Sequence, residues 1–406
     1  MKRNMKIKYS IVLTVALLSL LSLGMVGTAV VPVVENVIKD PTDVPTVDTF
    51  RTGPNEVTVH LDAKEVIADL APDKKYLFWT FALNESVAKK SKDGTKATVP
   101  GPMIRARVGD TIIIKLTNKL ENAEPHNIDF HAAMGPGGGA AVTNVEPGKT
   151  STLKFKALRA GAYIYHCAGH GMPWEHVAHG MYGLIQIDPR IQMDSKTDPL
   201  EDSDVGALPS VDKEFYVGQD DWYITKADVE AKKRSGHPEL DFYTLDFDKA
   251  SAEYPVDLYT FNGHQKALST IMPFNESIRS KQDDNVRFFF VTGGPNIGSN
   301  WHIIGTIFDK VYTGSPKTFV KNEETVYVPP GSAAVFELTT PVPGKFLIVD
   351  HALFRVAKGA AGFLHVDAKV PPTGCSLLRV GGGSTCTNPG SWPFKIFYPI
   401  ILGTGH

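Results

Sequence analysis

Cysteine is scarce in this chain, with three in 406 residues, at positions 167, 375 and 386. Charge of one sign is missing as well, since 42 lysines and arginines stand against 44 aspartates and glutamates for a formal net charge of −2. Such a balance provides no basic field and no charged tail, which excludes nucleic acid as an expected partner. No cysteine lies near the N-terminus, so a lipoprotein anchor is excluded too. No Cys-x-x-Cys-His haem signature occurs. Helical periodicity is weak, apart from a short helix expected around Lys226 to Lys233.

What is present is strand after strand. A chain this long predicts two or three domains. From about Val57 to Pro372, β-branched and aromatic runs alternate with Gly, Pro, Asn and Asp, as in Thr111 to Leu116, Thr152 to Phe155, Val286 to Phe290 and Ala334 to Leu338. The pattern predicts an all-β protein built of β-sandwiches. A repeat sharpens that expectation. Val145-Glu146-Pro147-Gly148, Ala160 to Cys167 and Gly180 to Leu184 are echoed by Val328-Pro329-Pro330-Gly331, Pro343 to His351 and Gly359 to Phe363. Only the first copy carries a thiol; the second has Asp350-His351 at that place. The expected division is a first sandwich at 50–190, a charged, Pro-containing linker at 189–210, a second sandwich at 211–370, and a tail at 371–406.

The N-terminus reads as a targeting segment. Lys2, Arg3, Lys6 and Lys8 precede an uncharged run from Ile11 to Val34, with a small-x-small site at Gly27-Thr28-Ala29. Residues 1–34 are therefore expected to be a signal peptide or an N-terminal membrane anchor, because the run is also long enough to span a bilayer. Either way the folded part is exported, to the periplasm or another extracytoplasmic space. There Cys375 and Cys386 are expected to close a small disulfide loop. The alternative, a metal site, lacks nearby histidines. The apolar run from Trp392 to Leu402 is too short to cross a membrane.

Chemistry concentrates in two short segments, His126-Asn127-Ile128-Asp129-Phe130-His131 and Tyr165-His166-Cys167, the latter followed by His176 and Met181. One cysteine, two histidines and a methionine form a blue-copper electron-transfer set, because soft thiolate and thioether ligands suit copper that cycles between Cu(I) and Cu(II). Neighbouring side chains on a strand point to opposite faces, so His166 and Cys167 serve two different metals. With a Cα step of ~3.8 Å plus side-chain reach, those metals would lie roughly 12 Å apart, joined by the backbone. His126 and His131 are an odd number of residues apart and face opposite ways on a regular strand, with Asp129 on the face of His131. The expectation is one site of His126, Cys167, His176 and Met181, and a second that includes His131 and His166 with Asp129 over it. His170, Met172 and His179 compete with His176 and Met181 for the first site.

Taken together, these residues resemble the copper-containing nitrite reductases. The likeness runs through nearly all of residues 57–368, including Phe78-Trp79-Thr80-Phe81, Val99 to Arg105, Gly180 to Gly183, Trp301 to Gly305 and Val349-Asp350-His351. It implies two tandem cupredoxin domains, Greek-key β-sandwiches, in each chain of a homotrimer. It implies two coppers per chain, a type 1 copper for electron delivery and a type 2 copper between subunits, held by His131 and His166 of one chain and His351 of the next. Asp129 and His302 would flank nitrite, and Ile304 would pack over it. The reaction implied is one-electron reduction of nitrite to nitric oxide and water, with electrons from a small donor protein, a cupredoxin or a cytochrome c. His170, a lysine-rich loop at 84–98 and the cysteine-bearing tail depart from the pattern without removing a ligand. A laccase-like multicopper oxidase is the main rival, but it needs paired His-x-His motifs, and this chain has none. A pure electron-transfer cupredoxin would not need His131, His166 or His351.

Overall fold

A computed structural model describes residues 30–190, 208–269 and 278–369. The expected targeting segment up to residue 29, most of the expected linker, and the tail with Cys375 and Cys386 lie outside the described residues.

Apolar alternation builds the first sandwich. On the strand Thr111–Asn118, Ile112, Ile114 and Leu116 are fully buried while the residues between them point outward, the period of two that a half-buried strand requires. Val57, Val59, Leu61 and Ala63 do the same on the long strand Glu56–Ala71. That strand pairs in parallel with Thr111–Asn118 and antiparallel with Lys74–Leu83. Facing it is a four-stranded sheet in the order Ile104–Arg107, Tyr182–Asp188, Gly161–His166, Asp129–Phe130. Here His166 lies opposite both Tyr182 and Asp129.

The second sandwich repeats the core of this topology, with Lys310–Tyr312 and Thr325–Val328 added at sheet edges. Lys213–Trp222 pairs in parallel with Asn285–Gly294, which pairs antiparallel with Ser332–Thr339. Its other sheet runs Arg279–Lys281, Ala361–Asp367, Gly344–Asp350, Ser299–Ile303, Thr325–Val328. The four strands expected from sequence all form, each longer by a residue or more at one end or both. The expected short helix is Val229–Arg234, begun by Asp228, whose side chain accepts from Ala231 N.

The two sandwiches share an apolar layer. Phe288 and Phe290 point into the second core, while Phe289 and Val291 on the same strand pack with Ile164, Tyr182 and Leu184 of the first. Burying each such side chain contributes about 1.5–3 kcal/mol, so this layer fixes one sandwich against the other. Ile224–Lys226 and Tyr243–Leu245 extend the first sandwich's larger sheet, though they follow the linker in sequence. The lysine-rich loop is tied down as well, with Asp93 accepting from the buried Lys39 ammonium at 2.7 Å.

Candidate metal centres

The end of the Gly161–His166 strand positions two groups on opposite sides. Cys167 turns inward and is fully buried. Its N–H donates to Met181 O (3.0 Å), and its Sγ accepts from Asn127 N (3.3 Å). Asn127 Oδ1 also accepts from Ala168 N at 2.7 Å, so one asparagine braces both sides of the cysteine. The loop beyond folds into the helix Pro173–Ala178, which carries His176. Gly169 permits this approach, since a Cβ there would meet His176 Cε1 at 2.5 Å.

His126, Cys167 and His176 thereby converge, their ligand atoms all within 4.8 Å of one another and all three residues buried. His126 Nδ1 lies 3.2 Å from His176 Nδ1 and 3.8 Å from Cys167 Sγ. Met181 is fully buried in the same apolar cluster as Cys167. Burial lowers the pKa of His176 to about 2, helped by the other histidines around it. Burial opposes protonation of His126 too, but hydrogen bonds to Cys167 and Glu65 outweigh it and raise that pKa to about 9. A thiol and two imidazole nitrogens turned toward one point make a donor set that fits a soft metal ion.

The competing residues lie elsewhere. His179 is buried but stacks on Trp79, with ring centroids 4.0 Å apart and planes at 12°. Its nitrogens engage Glu175 O (2.8 Å) and Thr244 Oγ1 (3.3 Å). His170 and Met172 are exposed. None of the three belongs to the convergent trio.

On the outer side, His166 Nε2 faces His131 Nε2 at 3.2 Å. His166 Nδ1 lies 3.0 Å from Cys167 O. If that nitrogen donates to the carbonyl, a lone pair is left on Nε2. Burial, then the His166 charge, lowers the pKa of His131 against the pull of Asp129. The two Nε2 atoms turn toward each other, a geometry that suits a shared metal. Asp129, opposite His166 in the register, packs against Gly138. Regular strand covers only Asp129–Phe130 of the histidine-bearing segment; His126 is held by an isolated bridge to Val145.

His302 and His351 form a separate pair, ring centroids 5.2 Å apart. His302 Nδ1 lies 2.5 Å from Glu324 O, and His351 N donates to Asn300 O. Ile304 follows the same strand and is 42% exposed. Among the described residues, the only group of three or more His, Cys, Asp and Glu side chains close enough to share an ion is the buried trio. Within one chain, then, neither His351 nor Asp129 completes the His131–His166 pair.

Register refines one expectation from the repeat. Gly161 opposite Ile187 matches Gly344 opposite Val366, so His166 corresponds to Val349 and Cys167 to Asp350. The thiol's place belongs to Asp350, and His351 sits one residue beyond it. Asp350 is fully buried; it accepts from Asn300 N (3.3 Å) as Cys167 accepts from Asn127 N, and pairs with Arg355 at 2.5 Å. An ion pair fills the second sandwich where the first has its convergent thiol and imidazoles. Asn127, Gly138 and Glu65 were not singled out from sequence, because their roles depend on contacts across strands.

The sequence model of a family described as multicopper oxidase matches residues 84–192. A copper-containing nitrite reductase of Neisseria meningitidis serogroup B is 38% identical over 343 residues, covering 84% of this chain and 76% of the relative. Among solved structures, a copper nitrite reductase from Nitrosomonas europaea matches with TM-score 0.58 and 28% identity, over 77% of this chain and 94% of that one. A copper-containing nitrite reductase from Thermus scotoductus SA-01 matches with TM-score 0.55 and 26% identity, over 77% of this chain and 61% of that one.

Proposed function

This chain belongs to the copper-containing nitrite reductases, and from that membership we propose that it reduces nitrite by one electron to nitric oxide. The balance is one electron and two protons taken up per nitrite, with one water released. The observation that carries this reading is the adjacency of His166 and Cys167, whose side chains join two different groups, His131 outside and His126 with His176 inside.

His126, Cys167, His176 and Met181 would hold a type 1 copper. His131 and His166, with His351 of an adjacent subunit, would hold a type 2 copper. Copper, when bound, supplies one-electron redox chemistry at the first set and Lewis acidity toward an anion's oxygen at the second. The peptide between Cys167 and His166 is the covalent link between the two sets. Asp129 would relay a proton to a nitrite oxygen as the general acid. His302, paired with His351 and with Nδ1 engaged by Glu324 O, would turn Nε2 toward the same anion from the adjacent subunit. Ile304 limits the space above the anion and keeps water from it.

The separation of His302 and His351 from His131 and His166 supports a homotrimer in which neighbouring chains complete each site. A small donor protein, a cupredoxin or a cytochrome c, would supply electrons. The N-terminal segment would direct the chain to the periplasm; no helix among the described residues is long and apolar enough to cross a membrane. The match to a multicopper oxidase family favours a second reading, dioxygen reduction, which the lack of any His-x-His motif opposes. Nitric oxide formed from nitrite with an artificial reductant, by protein holding two coppers per chain, tests the proposal. One copper per chain and no nitric oxide would overturn it.

A further inference from the structure

Glu65 sits mid-strand on Glu56–Ala71, 1% exposed. Its Oε1 meets three N–H groups. Two are backbone, Ala123 N at 3.1 Å and Glu124 N at 2.8 Å. The third is the ring of His126, whose Nε2 lies 3.2 Å away. Because His126 Nδ1 is turned toward Cys167 and His176, a metal-bound ring carries its proton on Nε2 and donates it to Glu65.

The second sandwich contains an internal control. Ala63 lies opposite Phe81, and Gln219 opposite Phe261, so Glu65, opposite Trp79, corresponds to Asp221, opposite Tyr259. Asp129 opposite His166 likewise matches His302 opposite Val349, which makes Ser299 the counterpart of His126. Asp221 performs the same backbone task. It accepts from Asn296 N (3.4 Å) and Ile297 N (3.2 Å), the residues three and two before Ser299, as Ala123 and Glu124 are three and two before His126. Where no metal ligand follows, aspartate suffices to hold the loop. Where His126 follows, the side chain is longer by one methylene and also reaches the ring. Loop anchoring accounts for a carboxylate at this position but not for its length.

We propose that Glu65 is a positioning residue for electron delivery, a carboxylate that fixes the His126 ring and, by accepting its Nε2 proton, favours oxidised over reduced copper. The proposal rests on the reading of His126, Cys167, His176 and Met181 as a type 1 copper site. Its physical basis is general. A carboxylate behind a ligating histidine raises the ring's basicity, and losing such a partner typically costs 10–100-fold in metal affinity. A stronger nitrogen donor stabilises Cu(II) more than Cu(I), which lowers the reduction potential. Hydrogen bonds to an ionised acceptor are also roughly twice as strong as neutral ones.

The test uses the full-length, copper-loaded protein and reads the reduction potential from the thiolate-to-copper absorption band, with thermal unfolding alongside. Glu65→Gln keeps length and an acceptor but removes charge. Glu65→Asp keeps the carboxylate and, by the precedent of Asp221, the loop, but withdraws from the ring. Both variants are expected to retain the band and a near wild-type melting temperature. Both are expected to shift the one-electron equilibrium toward Cu(I) by about tenfold, or about 59 mV. A wild-type potential in Glu65→Asp would reduce Glu65 to a loop anchor and overturn the proposal. A shift seen only together with a collapsed melting temperature would overturn it equally, as a product of loop disorder. No thiolate band in the wild-type protein would instead overturn the copper-site reading itself, and the role of Glu65 with it.

Discussion

Gly138 lies so close to Asp129 that a methyl group on it would overlap the carboxylate Oδ1 and come within 2.7 Å of Phe130 O. The glycine has φ +50°, a conformation that other residues adopt only at a cost. The Asp129 carboxylate therefore rests against bare backbone, near His131 and opposite His166 in the register. Any side chain at 138 must push it away.

Asp129→Asn should keep both coppers and lose most turnover, because an amide cannot deliver a proton. General acid catalysis typically contributes about 10²–10⁴-fold, and the loss is expected in that range. Nitrite turnover close to wild type across acidic pH would remove Asp129 from the mechanism.

Gly138→Ala should act on the same carboxylate from behind. Turnover is expected to fall while the thiolate band, on the other side of the strand, stays unchanged. Unimpaired turnover in a well-folded Gly138→Ala protein would mean that the position of Asp129 against Gly138 does not matter.

Cys167→Ala should abolish the thiolate-to-copper absorption and electron delivery, since alanine offers no ligand. Copper at the histidine site should remain, so metal analysis should fall from two per chain to about one. Persistent visible colour would contradict the role given to Cys167.

His351→Ala should deplete the outer copper while leaving the thiolate band intact. Because His131 and His166 find no third ligand within their own chain among the described residues, inactive His351→Ala and His131→Ala chains should complement each other when dissociated and reassembled together. Mixtures that form trimers yet stay inactive would exclude a site shared between subunits.

Acid-base behaviour of the fold should show at Asp221. Burial raises its pKa from 3.8 to about 6, against hydrogen bonds from the backbone of Ile297 and Asn296. The folded state thus binds more protons than the unfolded one between those values, and the contribution of Asp221 to stability falls as pH rises through that window. Asp221→Asn keeps an oxygen for one of the two N–H groups, which Asp221 meets through separate oxygens, and removes the titration; any constant loss from the other bond leaves the pH trend unchanged. The melting temperature of Asp221→Asn relative to wild type should therefore climb between about pH 4 and pH 7. A difference that stays flat would show that Asp221 titrates normally.

The sequence by itself determined the all-β architecture, the repeat and most of the chemistry. Strand periodicity and side-chain parity are local properties, and the opposite facing of His166 and Cys167 is a consequence of the two residues being adjacent. Sequence favours His176 and Met181 in the 167–181 loop but leaves His170, Met172 and His179 as competitors, because spacing alone does not separate the three histidines. Tertiary packing separates them, with His176 brought to Cys167 through the bare backbone of Gly169 and His179 stacked on Trp79. Only the register of the second sandwich decided that Asp350, not His351, takes the thiol's place, since a one-residue offset is invisible in a divergent repeat but absolute once strands pair. Glu65 was illegible for the same reason. It lies 61 residues from His126, and a contact across that distance exists only after the sandwich has closed.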